Sequence, residues 1–324
     1  MKSYIFNGLV VILSVIFLVP ETYGEANKIV TSYDNFGNPI KVERYYSPKK
    51  SKRLGLSKRI VHYDSNTIKT KEIFEYNNKK SSALGISTRT IYYDKKLKKT
   101  KSETHFTQKK AAGSGFEKMV VYFNAKGKKT KIEKTNTKQK FIETGQLKAI
   151  QHLGQKYKII RQDVYMKNPD TNDDQKISSF FDNTGKIIKK ETFYPDKKSN
   201  DLGYFKSVFY FTPEGKKIKE EWLMTDDFVL KAKITKTVFH YNNFGKKTKQ
   251  EGFFAKDKAD VQGYYKSVFF FNKQGKKTKV EKYFTTDMFE KFNYYKSIIT
   301  FDKDGQEVNE KIYDKENVLV LRSK

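Results

Sequence analysis

The chain contains no cysteine and little proline, with six prolines in 324 residues. Without cysteine there can be no disulfide bond, no thiolate metal site and no lipid anchor on a cysteine side chain. Beyond the first twenty residues the sequence also lacks any apolar run of the roughly 20 residues that a membrane-spanning helix needs. We therefore expect a mature chain that does not span a membrane and that is held together by ordinary packing and hydrogen bonds.

Acidic residues are scarce relative to basic ones: 37 Asp and Glu stand against 66 Lys and Arg, which gives a formal net charge of +29. Such an excess favours solubility and attraction to polyanions. Aromatic residues nevertheless make up 15% of the chain. Because disordered basic tails lack aromatics, the composition indicates that the charge is displayed on a folded framework.

The N-terminus has the three-part layout of a secretory signal peptide. Lys2 supplies a positive start, residues 9–19 form a short apolar run that ends at a proline, and small residues follow at Gly24 and Ala26. The sequence predicts a signal peptide over residues 1–24, with cleavage after Gly24 or Ala26 both possible. An uncleaved membrane anchor is the alternative. The predicted localisation is secreted, periplasmic or at the cell surface.

The rest of the chain repeats with a period of about thirty residues, which marks a repeat architecture. Every step is 30 residues except one of 28, and ten units fill residues 25–324 without leaving room for a separate catalytic domain. Each unit carries an anchor residue, usually aromatic, just before a turn. The anchors are Tyr33, Tyr63, Tyr93, Phe123, Leu153, Phe181, Phe211, Tyr241, Phe271 and Phe301.

The residues after each anchor predict a tight turn. Asp or Asn follows the anchor in eight units, and Gly stands four residues past it in seven. Asp and Asn hydrogen-bond to the turn backbone and Gly accepts a positive φ, so the pair predicts a type I turn closed by a left-handed residue. The flanking segments are rich in β-branched and aromatic residues and lack helical spacing, which is typical of strands.

The predicted fold is therefore all-β: ten hairpin repeats of about 30 residues, forming an extended antiparallel meander or a superhelical sheet. A second glycine, eight residues before the anchor, indicates a looser loop between hairpins. A propeller is disfavoured because its four-stranded blades would need a 60-residue pattern. The short step and the poor fifth unit suggest a joint at residues 150–177.

Alternation along the strands predicts two different faces. In the hairpin 264–284, we expect one face, with Val268, Phe270 and Val280, to be the better buried. Lys279 and Glu281 are expected on the other face, beside Phe269 and Ser267. Repeated ten times, that second face would present rows of lysine, glutamate and aromatic rings. The rows have a structural interpretation, because lysine stems cover rings and Lys–Glu pairs keep a sheet soluble.

The sharper hypothesis is a polyanion-binding surface, because lysines outnumber the acids that could pair with them. The clusters "GKKTK" and "GKKIK" fall at the same end of their hairpins. Expected ligands are acidic polysaccharide, lipopolysaccharide, teichoic acid or extracellular DNA, and a protein partner is also possible. The candidate binding residues are Lys128, Lys129, Lys131, Lys216, Lys217, Lys219, Lys246, Lys247, Lys249, Lys276, Lys277 and Lys279.

The turn motif resembles a known repeat class. "YDNFGNP" at residues 33–39, with echoes in "YDSNT" at Tyr63 and "FDNTGK" at Phe181, resembles the Tyr-Asp-x-x-Gly core of YD repeats and is similar to MORN-like hairpin repeats. The resemblance implies stacked hairpins that serve as a scaffold, shell or binding surface without chemistry in the repeats. Here lysine rather than arginine follows the turn glycine, and the units at Tyr63, Tyr93 and Leu153 lack that glycine.

No catalytic motif is present, and we expect neither an enzyme nor a cofactor. Asp170, Asn172 and Asp174 have the spacing of a calcium loop, but the central Gly and the distal Glu are missing, so an acidic loop is the better interpretation. We therefore predict an exported, non-enzymatic scaffold or binding protein that holds an acidic envelope polymer or another surface protein. The alternatives are an exported enzyme whose site is assembled across repeats and a purely structural envelope protein.

Overall fold

The computed structural model describes residues 15–18, 28–168 and 173–323. The protein is all-β, as the sequence predicts, and it is built from consecutive antiparallel hairpins. The chain divides into two compact units, residues 1–158 and 159–324, and their boundary falls inside the segment for which a joint is predicted. The joint itself stays a prediction. So does the signal peptide, which lies outside the described residues apart from the backbone of Val15–Leu18.

In the first unit each strand pairs antiparallel with the next one along the chain. The strands are β1 (Val15–Leu18), β2 (Lys28–Tyr33), β3 (Pro39–Tyr45), β4 (Leu56–Tyr63), β5 (Lys69–Tyr76), β6 (Ile86–Tyr93), β7 (Lys99–Phe106), β8 (Phe116–Phe123), β9 (Lys129–Asn136) and β10 (Gln146–Leu153). Each hairpin therefore extends the sheet of the previous one by two strands, which is the meander that the period predicts.

The second unit continues the same pattern, again with each strand beside its neighbour in sequence. Its strands are β11 (Ile159–Lys167), β12 (Asp174–Phe181), β13 (Ile187–Phe193), β14 (Tyr204–Phe211), β15 (Lys217–Met224), β16 (Ile234–Tyr241), β17 (Lys247–Phe254), β18 (Tyr264–Phe271), β19 (Lys277–Phe284), β20 (Lys296–Phe301), β21 (Glu307–Tyr313) and β22 (Leu319–Ser323).

Most hairpins are joined by a helix of two turns rather than by the predicted loop. The helices are α1 (Pro48–Leu54), α2 (Asn78–Leu84), α3 (Gln108–Ser114), α4 (Lys138–Thr144), α5 (Asp196–Leu202), α6 (Asp226–Ala232), α7 (Lys256–Gln262) and α8 (Thr286–Phe292). Helix α2 shows the local cause. The Asn77 side chain accepts a hydrogen bond from the backbone N–H of Lys80 at 2.9 Å, and Gly85 ends the helix with φ 68°.

The recurring second glycine also lets consecutive hairpins stack. The backbone N–H of Asn77 donates to the carbonyl of Gly55 at 3.1 Å, and that of Thr107 donates to the carbonyl of Gly85 at 3.0 Å. A Cβ on Gly55 would lie 2.9 Å from Cγ of Lys80, so a side chain there would meet the next helix. These glycines therefore serve both the left-handed helix end and the close approach between repeats.

The predicted assignment of side chains to the two faces is wrong by one residue. A β-bulge between Phe270 and Phe271 shifts the register, so that Phe270 lies opposite Lys279 and Val268 lies opposite Glu281. Because strand side chains alternate, the extra residue moves every later side chain of β19 to the other face. Valine and glutamate therefore share one face.

Side chains in the middle of a strand are buried on both faces of the sheet, so burial depends on the position along the strand and not on the face. Ser267 and Val268 point to opposite sides of β18, yet they are 5% and 1% exposed. On the side of Val268, the cross-strand neighbours are Glu251 and Glu281, and on the side of Ser267 they are Gly252 and Lys282. The predicted better-buried face is therefore not found, and the core is a central band of each strand.

Candidate anion-binding turn edge

The turns have the predicted geometry. In the hairpin β18–β19 the N–H of Asn272 donates to the carbonyl of Lys276 at 2.9 Å, and its side-chain oxygen accepts from the N–H groups of Gln274 and Lys276 at 3.0 Å each. Gly275 holds φ 82°. In the units without this glycine, a non-glycine residue takes the left-handed conformation: Thr67, Leu97 and Tyr157, each with φ near 59°. We call the ends of the hairpins that carry these turns the turn edge.

The twelve lysines predicted to bind polyanions fall into three structural groups of four. The first group, the turn lysines, comes directly after the turn and is exposed: Lys128, Lys216, Lys246 and Lys276. Lys246 Nζ donates to the carbonyl of Lys273 at 3.2 Å, and Lys276 Nζ donates to the carbonyl of Lys303 at 3.0 Å. Among the described residues no carboxylate forms an ion pair with any of the four.

The second group, the ring lysines, lies one residue further along: Lys129, Lys217, Lys247 and Lys277. Three of them place the ammonium over the anchor ring of the next hairpin, at 4.2 Å from Tyr241, 4.4 Å from Phe271 and 3.9 Å from Phe301. Such cation–π contacts stabilise by about 0.5–2 kcal/mol each and join one hairpin to the next. Lys129 lacks such a ring, because the next anchor is Leu153.

The third group, the ladder lysines, is neutralised by glutamates: Lys131, Lys219, Lys249 and Lys279. Their ammonium groups lie 3.9, 2.6, 2.9 and 2.8 Å from carboxylates of Glu133, Glu221, Glu251 and Glu281, in that order. At three of these glutamates a second lysine from the next hairpin reaches the same carboxylate: Lys148 at 3.7 Å from Glu133, Lys236 at 2.8 Å from Glu221 and Lys266 at 2.5 Å from Glu251. These lysines form a Lys–Glu–Lys ladder between hairpins. The residues recur in the repeat, but their pairing across hairpins cannot be deduced from the sequence.

The ladder perturbs the acids that it encloses. Although burial raises the pKa of Glu251, hydrogen bonds from Lys266, Lys249 and His240 outweigh it and lower the pKa to about 2. At Glu43 the hydrogen bonds from Lys41, Tyr45 and Lys58 lower the pKa to about 2. Both carboxylates are therefore charged across the range in which proteins are normally handled, and each holds two hairpins together.

The turn edge extends beyond the predicted residues. Lys98, Lys126 and Lys186 occupy exposed positions in the same turns, and Lys98 Nζ donates to the carbonyl of Ala125 at 3.3 Å. Burial and the neighbouring charges of Arg89 and Lys129 lower the pKa of Lys99. The sequence repeat could have identified these lysines, because each lies in a turn, and Lys98 and Lys186 are as far from their anchors as the predicted turn lysines are from theirs.

The calcium candidate is not assembled by the described residues. Asp170 and Asn172 lie outside them, while Asp174 is exposed at the start of β12, opposite Lys167. Across residues 28–168 and 173–323, no group of three or more His, Asp or Glu side chains is arranged to hold a metal ion. In the same part of the chain, no helix is long and apolar enough to cross a membrane.

The fold and its turn edge define a β-hairpin repeat protein. No family model matches the chain, and no curated protein matches it. Among solved structures it is similar to TcdB2-TccC3 without the hypervariable C-terminal region, at 9% identity over 91% of this chain, with a TM-score of 0.16. It is also similar to TcdB2-TccC3, at 11% identity over 89% of this chain, again with a TM-score of 0.16. The chain spans 19% and 20% of the lengths of those two chains.

Proposed function

We propose that this chain is an exported, non-enzymatic repeat scaffold whose turn edge binds an acidic polymer of the cell envelope. The observation that carries the proposal is the set of turn lysines, which are exposed and have no carboxylate partner among the described residues. Export is supported by the layout of residues 1–24. The turn motif's resemblance to YD and MORN-like repeats supports a role as a scaffold.

The spacing of the turn lysines suits a polymer rather than a single ion. Neighbouring strands lie about 4.8 Å apart, so equivalent lysines of consecutive hairpins are separated by roughly 10 Å. Within the second unit, Lys186, Lys216, Lys246 and Lys276 would therefore face a chain of repeating anionic groups. Each phosphate or sulfate bound at such a position would release counterions, so the affinity should fall steeply as salt rises.

A heparin column tests the proposal with the purified mature chain. The test variant replaces Lys128, Lys216, Lys246 and Lys276 with Gln, and the control replaces the exposed helix lysines Lys49, Lys109, Lys138 and Lys197 with Gln. Both variants lose the same charge. We expect the wild type and the control to elute at similar salt, and the turn-lysine variant to elute well earlier. Equal elution of both variants, or passage of the wild type at low salt, would refute the proposal.

A purely structural envelope role is the second candidate. It is supported by the Lys–Glu–Lys ladder, in which lysines such as Lys219 and Lys236 are neutralised by the contact between hairpins. In that case the net charge serves solubility, and heparin retention should depend on total charge alone. The comparison of the two variants distinguishes the candidates, because only binding at the turn edge predicts a difference between them.

A further inference from the structure

The turn edge departs from the repeat at Lys129. In five hairpins, the lysine two residues past the turn glycine position lies over the next anchor ring: Lys69 over Tyr93, Lys99 over Phe123, Lys217 over Tyr241, Lys247 over Phe271 and Lys277 over Phe301, at 3.9–4.4 Å. Lys129 occupies the same position, but Leu153 stands where the ring would be. Lys129 is exposed, and no described ring lies beneath it.

A surface cavity of about 580 Å³ opens at this position. Lys128, Lys129 and Lys156 line it, together with Leu153 and Tyr157. None of the described residues that line it carries a carboxylate. The volume lies within the ~300–1,000 Å³ typical of small-molecule sites. The cavity therefore combines three cations with an apolar wall at a point where the fold elsewhere places an aromatic ring.

The backbone of the fifth turn places its aromatic side chain at the cavity. Lys156 and Tyr157 are consecutive non-glycine residues in the left-handed region, with φ 53° and 58°. Most other hairpins place glycine at the equivalent of Tyr157 and so avoid that strain. The Tyr157 ring is 56% exposed and lines the cavity. Strained residues of this kind cluster at ligand sites, where the strain fixes a side chain in position.

We propose that this cavity binds a nucleotide unit. The base packs against Leu153 and Tyr157 below the Lys129 ammonium, and the phosphate lies between Lys128 and Lys156. A flat ring combined with an anionic group is the chemistry that interleaved lysines and aromatics recognise. The inference rests on the proposed function, because it names the ligand class of one part of the turn edge. A free mononucleotide and a single-stranded nucleic acid would present the same unit.

Calorimetry with AMP and with a twelve-residue oligothymidylate tests the site in the full mature chain. Leu153→Phe restores the aromatic anchor of the other repeats and fills the cavity without removing any charge. Tyr157→Asn removes the ring and places a residue that tolerates the left-handed conformation, so the fold should be kept. The matched control is Leu97→Asn, which makes the same replacement at a left-handed turn position away from the cavity.

We expect each cavity variant to weaken nucleotide binding at least fivefold, as loss of one stacking contact does, and the control to bind like the wild type. Binding of the oligonucleotide alone, lost in Leu153→Phe, would identify a strand as the source of the nucleotide unit. Equal binding by all variants, or no binding of either probe at low salt, would overturn the inference. Heparin retention of Leu153→Phe should equal that of the wild type. Loss of nucleotide binding can therefore be distinguished from loss of polyanion binding by the turn edge.

Discussion

The hydroxyl group of Tyr241 donates a hydrogen bond of 2.9 Å to Oε2 of Glu220, a carboxylate on the preceding hairpin that is only 7% exposed. The first unit repeats the relationship, since the Tyr93 hydroxyl donates to Glu72 at 2.8 Å. Gln250 is the residue equivalent to Glu220 in the next hairpin, and the anchor that follows it, Phe271, has no hydroxyl group. Val42 also occupies this position, and the anchor after it is Tyr63, so a tyrosine anchor occurs without an acidic residue there as well.

Replacing Tyr241 with Phe should destabilise the second unit by about 1–2 kcal/mol, because a buried carboxylate loses one of its hydrogen bonds. Lys217 and Trp222 still donate to Glu220 at 2.7 Å each, which limits the loss. Urea unfolding of the full chain measures the effect as a lower midpoint. The control is Tyr63→Phe, because no described residue accepts a hydrogen bond from the Tyr63 hydroxyl. A fall of equal size in both variants would contradict the prediction.

The enclosed glutamates predict a loss of stability in acid. The pKa of Glu251 is lowered from 4.5 to about 2, so its contribution is fully present above pH 4.5 and is lost as the pH falls toward 2. Glu43 has the same shift and the same window in the first unit. Thermal unfolding between pH 6 and 2.5 should show the decline, with each carboxylate accounting for about 1–2 kcal/mol.

Glu251→Gln provides the control for that decline. The variant should be less stable than the wild type at pH 7, because Lys249 and Lys266 lose their shared carboxylate. Its stability should also depend less on pH below 4.5, because one titrating group is gone. A pH profile parallel to that of the wild type would show that Glu251 does not contribute as proposed.

The sequence predicts the turns well because their chemistry is local. Asn272 and Gly275 determine the turn between them through their own hydrogen bonds and backbone conformation, and both act as expected. The predicted faces are wrong for an equally local reason, since the bulge beside Phe271 inserts one residue without leaving a clear mark in the pattern.

The helices and the ladder escape sequence-based prediction for different reasons. Helix α2 has seven residues, "NKKSSAL", which is too short to show a helical period. Its capping residues, Asn77 and Gly85, are visible in the sequence and could have indicated it. The ladder joins residues of different hairpins, such as Glu221 and Lys236, so it depends on a register between hairpins that no single repeat contains.

The glycines that end the helices should be less replaceable than those in the turns. Gly203 has φ 78°, and a Cβ there would lie 2.7 Å from Cδ2 of Phe228 on the next helix. Gly215 has a similar φ of 81°, but no atom lies within 4 Å of the position that a Cβ would take there. Gly215→Ala should therefore cost about 1 kcal/mol through backbone strain, and Gly203→Ala about 2–3 kcal/mol. Equal urea midpoints for the two variants would contradict the role of Gly203 in stacking.

The separation of lysines into groups predicts that neighbouring residues on one strand have different effects. Lys246 is exposed, and among the described residues its ammonium group donates only to the backbone carbonyl of Lys273. Lys246→Gln should therefore leave the urea midpoint unchanged and reduce the salt dependence of polyanion binding by about one charge. Lys249 lies 2.9 Å from Glu251, so Lys249→Gln should cost about 1 kcal/mol of stability and leave heparin elution nearly unchanged. The urea midpoint and the heparin elution salt are measured for both variants. If Lys246→Gln and Lys249→Gln change the two quantities in the same way, the turn edge and the ladder are not separate surfaces.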